Sequence, residues 1–335
     1  MKKILIIGPA WVGDMVMAQT LFQLLQRREK VVIDVLAPDA TRPLLNRMPE
    51  VHQALAWPFP HGQLQLKKRW QIGRALRAQY YDWAIVLPNS FKSALPLLVA
   101  RIPRRTGFKG EWRFGLLNDI RILDKKALSL MIERFMALGL APQESIPRPF
   151  PQPHLQTDAE NTQKIVEKLN LTLDKPILAL CPGAEYGPAK RWLSEYYAAV
   201  AQNKIQQGWQ VWIFGSPKDK MAAEEIQQFA QNQCIDLTGK TQLTDAIDLL
   251  ALAEAVITND SGLMHVAAAL DRPIVAIYGS SSPQFTPPLC NQVKIISLNL
   301  SCSPCFQRQC PLGHFKCMRD LKPPQVLHAL NELLA

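Results

Sequence analysis

Ile257-Thr258-Asn259-Asp260-Ser261-Gly262-Leu263-Met264-His265-Val266-Ala267-Ala268-Ala269-Leu270 is the stretch around which the chain is organised. The apolar run Ala253 to Ile257 predicts a short buried strand. Asn259 to Gly262 interrupts it with helix N-cap residue types, and Leu263 to Leu270 predicts a helix rich in small residues. A strand, a polar turn and a helix start make an anion site, because unpaired N–H groups and the helix dipole point the same way. Gly262 lets a ligand approach the backbone, Ser261 offers a hydroxyl, and His265 follows one turn on along the same face. A diphosphate is the expected occupant. The plainer reading is that Asp260 or Ser261 caps a structural helix and His265 is a satisfied core residue.

The same strand–turn–helix unit recurs on both sides. Lys3–Ile7, Val31–Leu36, Trp83–Leu87, Ile177–Cys181, Trp209–Phe214 and Ile274–Tyr278 read as strands. Helices are expected at Met15–Leu25, 40–48, 67–79, 91–100, 158–169, Leu193–Gln206 and 219–231, and from Thr244-Asp245 to Ala253. Strands alternating with helices mean an α/β fold with doubly wound parallel sheets. A chain of 335 residues exceeds one comfortable core, and residues 142–156, with five prolines, read as the linker. Two Rossmann-like domains are therefore expected, 1–150 and 151–335, facing a central cleft into which the strand-end turns point. The last helix, 323–335, is expected to return to the first domain.

Composition narrows the class. Apolar residues make up 48% and charged residues 20%, and no apolar run approaches the roughly 20 residues of a spanning helix. Met1-Lys2-Lys3-Ile4-Leu5-Ile6-Ile7-Gly8 reads as a first strand rather than a signal peptide. A cytoplasmic location with reduced cysteines is expected. Charge is lopsided: residues 1–150 carry +12 and residues 151–335 carry −2. A basic half implies an anionic partner such as nucleic acid, a membrane face or a phosphorylated glycan. Among these, nucleic acid is not expected, because no helix-turn-helix, RRM or OB pattern is present and aromatics are not interleaved with the charges.

Three groups of residues bear chemistry. Asp14 follows the first strand and its glycine turn, where it could accept a substrate hydroxyl proton or cap the helix at Met15. Lys190, after the Ile177–Cys181 strand, could face phosphate or remain a solvated loop lysine. Cys302, Cys305, Cys310 and Cys317, with His314 between them, have the spacing of tetrahedral zinc ligands. A structural zinc, with His314 as alternative ligand, is set against free thiols.

Trp11-Val12-Gly13-Asp14-Met15, Asn89-Ser90-Phe91-Lys92-Ser93-Ala94-Leu95, the segment Cys181–Trp192 and Asn259–Ala267 together resemble the lipopolysaccharide heptosyltransferases, glycosyltransferase family 9, and more closely the type II members. The resemblance implies a GT-B fold and an inverting transfer of L-glycero-D-manno-heptose from ADP-heptose to the first heptose of the Kdo2-lipid A inner core. It implies Asp14 as general base and Lys190 on the diphosphate. Thr241, Asp260, Ser261, Gly262 and His265 would bind the donor, and Asn89, Ser90, Lys92 and Arg105 the acceptor. Pro217-Lys218-Asp219 stands where relatives place a ribose-binding acid. No Asp-x-Asp stands out as a metal clamp, so transfer without a catalytic cofactor is expected. The +12 half is expected to face the anionic acceptor, with the chain attached peripherally to the inner face of the inner membrane. The alternatives are a non-catalytic polyanion or nucleic-acid binder, or another sugar-nucleotide enzyme such as an epimerase.

Overall fold

Runs such as Ile4-Leu5-Ile6-Ile7 and Ile177-Leu178-Ala179-Leu180 have no polar face, and such runs suit parallel strands covered by helices on both sides. The computed structural model describes residues 1–59 and 63–335. It divides into two units, Met1–Pro153 and His154–Ala335. The first contains β1 (Lys2–Ile7), α1 (Val12–Arg28), β2 (Val31–Ala37), α2 (Arg42–Leu45), β3 (Val51–Ala56), α3 (Leu66–Arg77), β4 (Trp83–Val86), α4 (Phe91–Ala100), β5 (Arg104–Phe108), β6 (Asp119–Arg121) and α5 (Met131–Ala137). The second contains α6 (Ala159–Lys168), β7 (Ile177–Cys181), α7 (Ser194–Gln206), β8 (Gln210–Ile213), α8 (Lys220–Phe229), β9 (Ile235–Asp236), α9 (Leu243–Leu250), β10 (Ala255–Asn259), α10 (Gly262–Ala269), β11 (Ile274–Ile277), β12 (Val293–Ile296), α11 (Lys316–Arg319) and α12 (Pro323–Leu334).

Among the described residues the strands form two six-stranded sheets, ordered β3-β2-β1-β4-β5-β6 and β12-β11-β10-β7-β8-β9. Every pairing is parallel. Counted from its own first strand, each sheet runs 3-2-1-4-5-6, the doubly wound order of nucleotide-binding folds. The order reverses direction between β1 and β4 in one unit and between β7 and β10 in the other. Turns after those strands therefore splay apart and leave room for a ligand.

Ile177–Cys181 matches the expected strand end to end, whereas β3, β6, β9 and β12 lie outside the expected strands. The basic segment Arg101 to Lys109 instead hides a strand. In β5, Thr106 is fully buried: its hydroxyl accepts from Trp83 Nε1 at 2.7 Å and donates to Asp119 Oδ2 at 2.8 Å. Arg104 and Arg121 pair with the same carboxylate at 3.0 and 2.6 Å. Polar bonds, not apolar alternation, join β5 to β6. Desolvation alone would raise the Asp119 pKa, but hydrogen bonds from Arg121, Thr106 and Arg104 hold it down to about 2. A carboxyl depressed in the fold stabilises above its ordinary range and loses that contribution as pH falls through about 2. Asp119→Asn should cost about 2 kcal/mol at neutral pH in a urea titration, with the difference closing as pH approaches that value.

The last helix, α12, contributes Val326, Ala329 and Leu330 to the core of the second unit, beside Val275, Ile277 and Tyr197. Its apolar face packs on β11, β12 and α7. Lys204, nearly buried in α7, fastens it by donating to Asn331 Oδ1 at 3.0 Å.

Candidate active site

In the second unit, β7 and β10 are neighbours in register, Thr258 opposite Cys181. The turn after each strand therefore begins at the same level. Asn259, fully buried, ties the turns together: its Oδ1 accepts from Trp192 N at 3.1 Å and its Nδ2 donates to Pro182 O at 2.6 Å. Those bonds bring the Pro188–Lys190 turn to the start of α10. Lys190 Nζ reaches Asp260 Oδ2 at 2.5 Å, with side-chain exposures of 17% and 5%. The capping reading for Asp260 is thereby replaced, since its carboxylate serves the lysine. Ser261 occupies the N-cap with extended backbone, but its side chain makes no cap hydrogen bond; its Oγ lies 3.4 Å from Thr258 Oγ1. The first-turn amides beginning at Gly262 are thus left without a side-chain cap, as an anion site requires.

His265 is buried one turn into α10. Burial lowers its pKa to about 4, Asp260 opposing the fall and Lys190 adding to it. The ring is therefore neutral in ordinary buffer, able to donate from one nitrogen and accept at the other. Because the unfolded histidine takes up a proton near its ordinary value and the folded one does not, stability falls with pH from about 6.5 toward 4. Relative to His265→Gln, the wild-type chain should lose about 3 kcal/mol over that window, read from denaturant midpoints.

A second support was not foreseen. The loop holding the cysteines runs under the Lys190 turn: Ala189 N donates to Arg308 O at 3.1 Å and Tyr186 OH to Phe306 O at 2.7 Å. A Cβ on Gly187 would overlap Arg308 O, so this approach requires glycine. Cys302, Cys305, Cys310 and Cys317 line one small cavity of about 20 Å³ with Ser280 and His314. Backbone amides, that of Phe315 foremost, lower the Cys310 pKa, while burial and the other three sulfurs raise that of Cys317. Even so, among the described residues no three of His, Cys, Asp or Glu form a group that could hold a metal ion. His314 also turns Nδ1 to accept from Lys316 N at 3.0 Å. The loop acts here as a buttress for Lys190.

Asp219 is likewise committed. Its Oδ2 accepts from Ser216 N and Oγ at 2.9 and 2.8 Å, closing a capping box. Cβ atoms at Gly183 and Gly215 would meet it at 2.7 and 2.9 Å. Thr241 lies partly buried in the turn between β9 and α9.

The first unit repeats the arrangement. Asp14 is the third residue of α1, which begins at Val12 with Trp11 at the N-cap. It is therefore not the cap, and sits in the first turn beyond β1, where helix geometry favours negative charge. Asn89, Ser90 and Lys92 follow the neighbouring strand, β4. Asn89 Oδ1 accepts from Arg113 Nη2 at 3.2 Å, and Ser90 is the N-cap of α4. Arg105 departs from the acceptor set. It lies opposite Ala84 near the amino end of β5, and its Nε and Nη1 donate to Leu116 O and Ile102 O at 2.7 and 2.6 Å. A guanidinium spent on backbone carbonyls at the wrong end of the strand is a structural strut.

Residues 69–316 match the family model for glycosyltransferase family 9 (heptosyltransferase). The chain belongs to that family. It is a glycosyltransferase with the GT-B fold. The lipopolysaccharide heptosyltransferase 2 of Escherichia coli K12 is 46% identical, the match covering 99% of this chain and 98% of the relative. A lipooligosaccharide heptosyltransferase 2 of Haemophilus influenzae is 45% identical over 99% of both. The solved structure of E. coli ADP-heptose LPS heptosyltransferase II superposes with a TM-score of 0.89, at 46% identity, covering 100% of this chain and 98% of that one. Within this family setting, the Lys190–Asp260 pair stands beside a helix start and Asp14 beside another, each at the switch point of its own sheet.

Proposed function

We propose that this glycosyltransferase moves L-glycero-D-manno-heptose from ADP-heptose to the first heptose of Kdo2-lipid A, in lipopolysaccharide core synthesis. The Lys190–Asp260 pair at the uncapped start of α10 carries the reading. The amides from Gly262 onward meet the diphosphate, Lys190 offsets its charge, and Asp260 orients both the lysine and the donor sugar. Neutral His265 offers a hydrogen bond without adding charge. The acceptor hydroxyl oxygen then bonds to the anomeric carbon as the carbon–oxygen bond to ADP breaks, and Asp14 takes the hydroxyl proton. Attack opposite the leaving group inverts the anomeric centre. Asn89, Ser90 and Lys92 follow β4, the neighbour of the strand that Asp14 follows, and are assigned to the acceptor.

Because a lysine supplies the positive charge at the diphosphate, transfer proceeds without a catalytic metal, and chelator-treated enzyme keeps its rate. The acceptor is lipid-borne, so the enzyme works peripherally at the inner face of the inner membrane. Incubation with ADP-heptose and one-heptose Kdo2-lipid A tests the whole assignment by mass spectrometry. A product heavier by one heptose supports it, and an unchanged acceptor mass with intact enzyme overturns it.

A further inference from the structure

The strongest positive charge of the first unit and four exposed apolar side chains lie on the same segments. Between residues 63 and 114 the acids are Asp82 and Glu111 alone, against eleven Lys and Arg. Within that span Leu66, Trp70, Trp112 and Phe114 are 59%, 49%, 85% and 65% exposed. Isolated exposed apolar side chains are ordinary, whereas a group of them marks a surface for something.

Two buried arginines make these segments one surface. Arg69, 2% exposed in α3, donates to Leu64 O and Gln63 O behind it and to Lys92 O at 2.7 Å, at the start of α4. Arg113, also 2% exposed, donates to Phe108 O, to Pro88 O at 2.7 Å and to Asn89 Oδ1 at 3.2 Å. Phe91 N donates to Glu111 at 2.8 Å, drawing the Lys109–Phe114 loop against the start of α4. Desolvation opposes the charge on both guanidinium groups, a cost that a solvated arginine does not meet. These two charges are struts, and what they hold outward is apolar. Around the rings Lys67, Lys68, Arg74 and Lys109 remain exposed, and Arg74 stacks 4.9 Å from the centre of the Trp70 ring.

We propose that this face docks on an anionic lipid bilayer. Leu66, Trp70, Trp112 and Phe114 enter the interfacial layer, where amphipathic rings are favoured, and the four cations meet lipid phosphates. Charge complementarity selects the occupant. The aliphatic Leu66 and the two fully projecting rings favour a bilayer over nucleic acid, whose phosphodiester backbone has no use for an aliphatic side chain. Among the described residues no helix is long and apolar enough to cross a membrane, so attachment through this face would be peripheral. The proposal specifies the surface for the membrane association proposed above. The Lys109–Phe114 loop adjoins Asn89 and Phe91, so docking presents the acceptor turn to the lipid plane.

Sedimentation of the full chain with phosphatidylcholine vesicles, with and without phosphatidylglycerol, tests this directly. Binding is expected to the phosphatidylglycerol vesicles alone and to weaken with added salt, as charges in reach of water are screened. The Trp112→Ser/Phe114→Ser variant should lose at least about tenfold in partitioning, and Lys67→Gln/Lys68→Gln should lose much of the salt dependence. ADP affinity, set by the second unit, stays unchanged in both. Equal binding to neutral vesicles, wild-type partitioning by the Trp112/Phe114 variant, or tighter binding to duplex DNA than to anionic vesicles overturns the proposal. Vesicle binding is read without any transfer step, so its failure is separate from a failure of the heptose assignment.

Discussion

Asp14→Asn should leave ADP-heptose binding at its wild-type value and lower turnover by about 10²- to 10⁴-fold, the range typical of a lost general base. The substitution keeps the shape of the side chain and its place in the first turn of α1. It removes the capacity to take a proton while the new carbon–oxygen bond forms. The donor determinants, Lys190, Asp260 and the start of α10, all belong to the second unit. Calorimetry with ADP-heptose should therefore not register the change, whereas kcat should carry nearly all of it. Turnover near wild type would remove Asp14 from the chemistry. A parallel loss of donor affinity would mean that the residue acts on binding instead.

Lys190→Ala should lower both activity and stability, because two effects coincide. The cation facing the diphosphate disappears, and losing one preorganised stabilising group typically lowers kcat by about 10²- to 10³-fold. The removal also strands Asp260, whose side chain is only 5% exposed; breaking a buried pair from one side costs about 3–5 kcal/mol of stability. The double variant Lys190→Ala/Asp260→Asn separates these contributions. Its melting temperature should recover much of what the single variant lost, since no buried carboxylate is left alone, and its activity should stay low. If activity returned along with stability, the lysine would be a structural partner for Asp260 and no more. If neither property changed in Lys190→Ala, the site would have to lie elsewhere.

Lys190 and Asp260 also show how far a linear reading reaches. Each could be placed after an apolar run, and apolar runs are readable because a strand buried on both faces has few other options. That logic found Lys3–Ile7, Ile177–Cys181 and Ile274–Tyr278, where β1, β7 and β11 lie. It missed β5, whose Arg104-Arg105-Thr106 looks like a solvated charge run until Asp119 arrives beside it. Nor does it show that Arg69, Arg105 and Arg113 are spent on the fold. All three donate to backbone carbonyls, and a carbonyl partner leaves no mark on composition. Asn259 went unremarked as a clamp because its two partners, Trp192 N and Pro182 O, are backbone atoms 67 and 77 positions away.

By itself, the sequence determined the class of the molecule. Hydrophobic runs separated by helical periods demanded parallel sheets, while the proline-rich segment and the turn chemistry of Asn259 to Gly262 supplied the expectations of a boundary and of an anion site. Only the tertiary structure decided which side chains face one another. Strand order places β7 beside β10 and so brings a lysine to an aspartate 70 residues on. It also sends α12 to β11 and β12, and turns Arg69 and Arg113 inward. The reason is physical: periodicity is local and is written in every residue, whereas pairing depends on register between distant segments, which exists only once the sheets have formed.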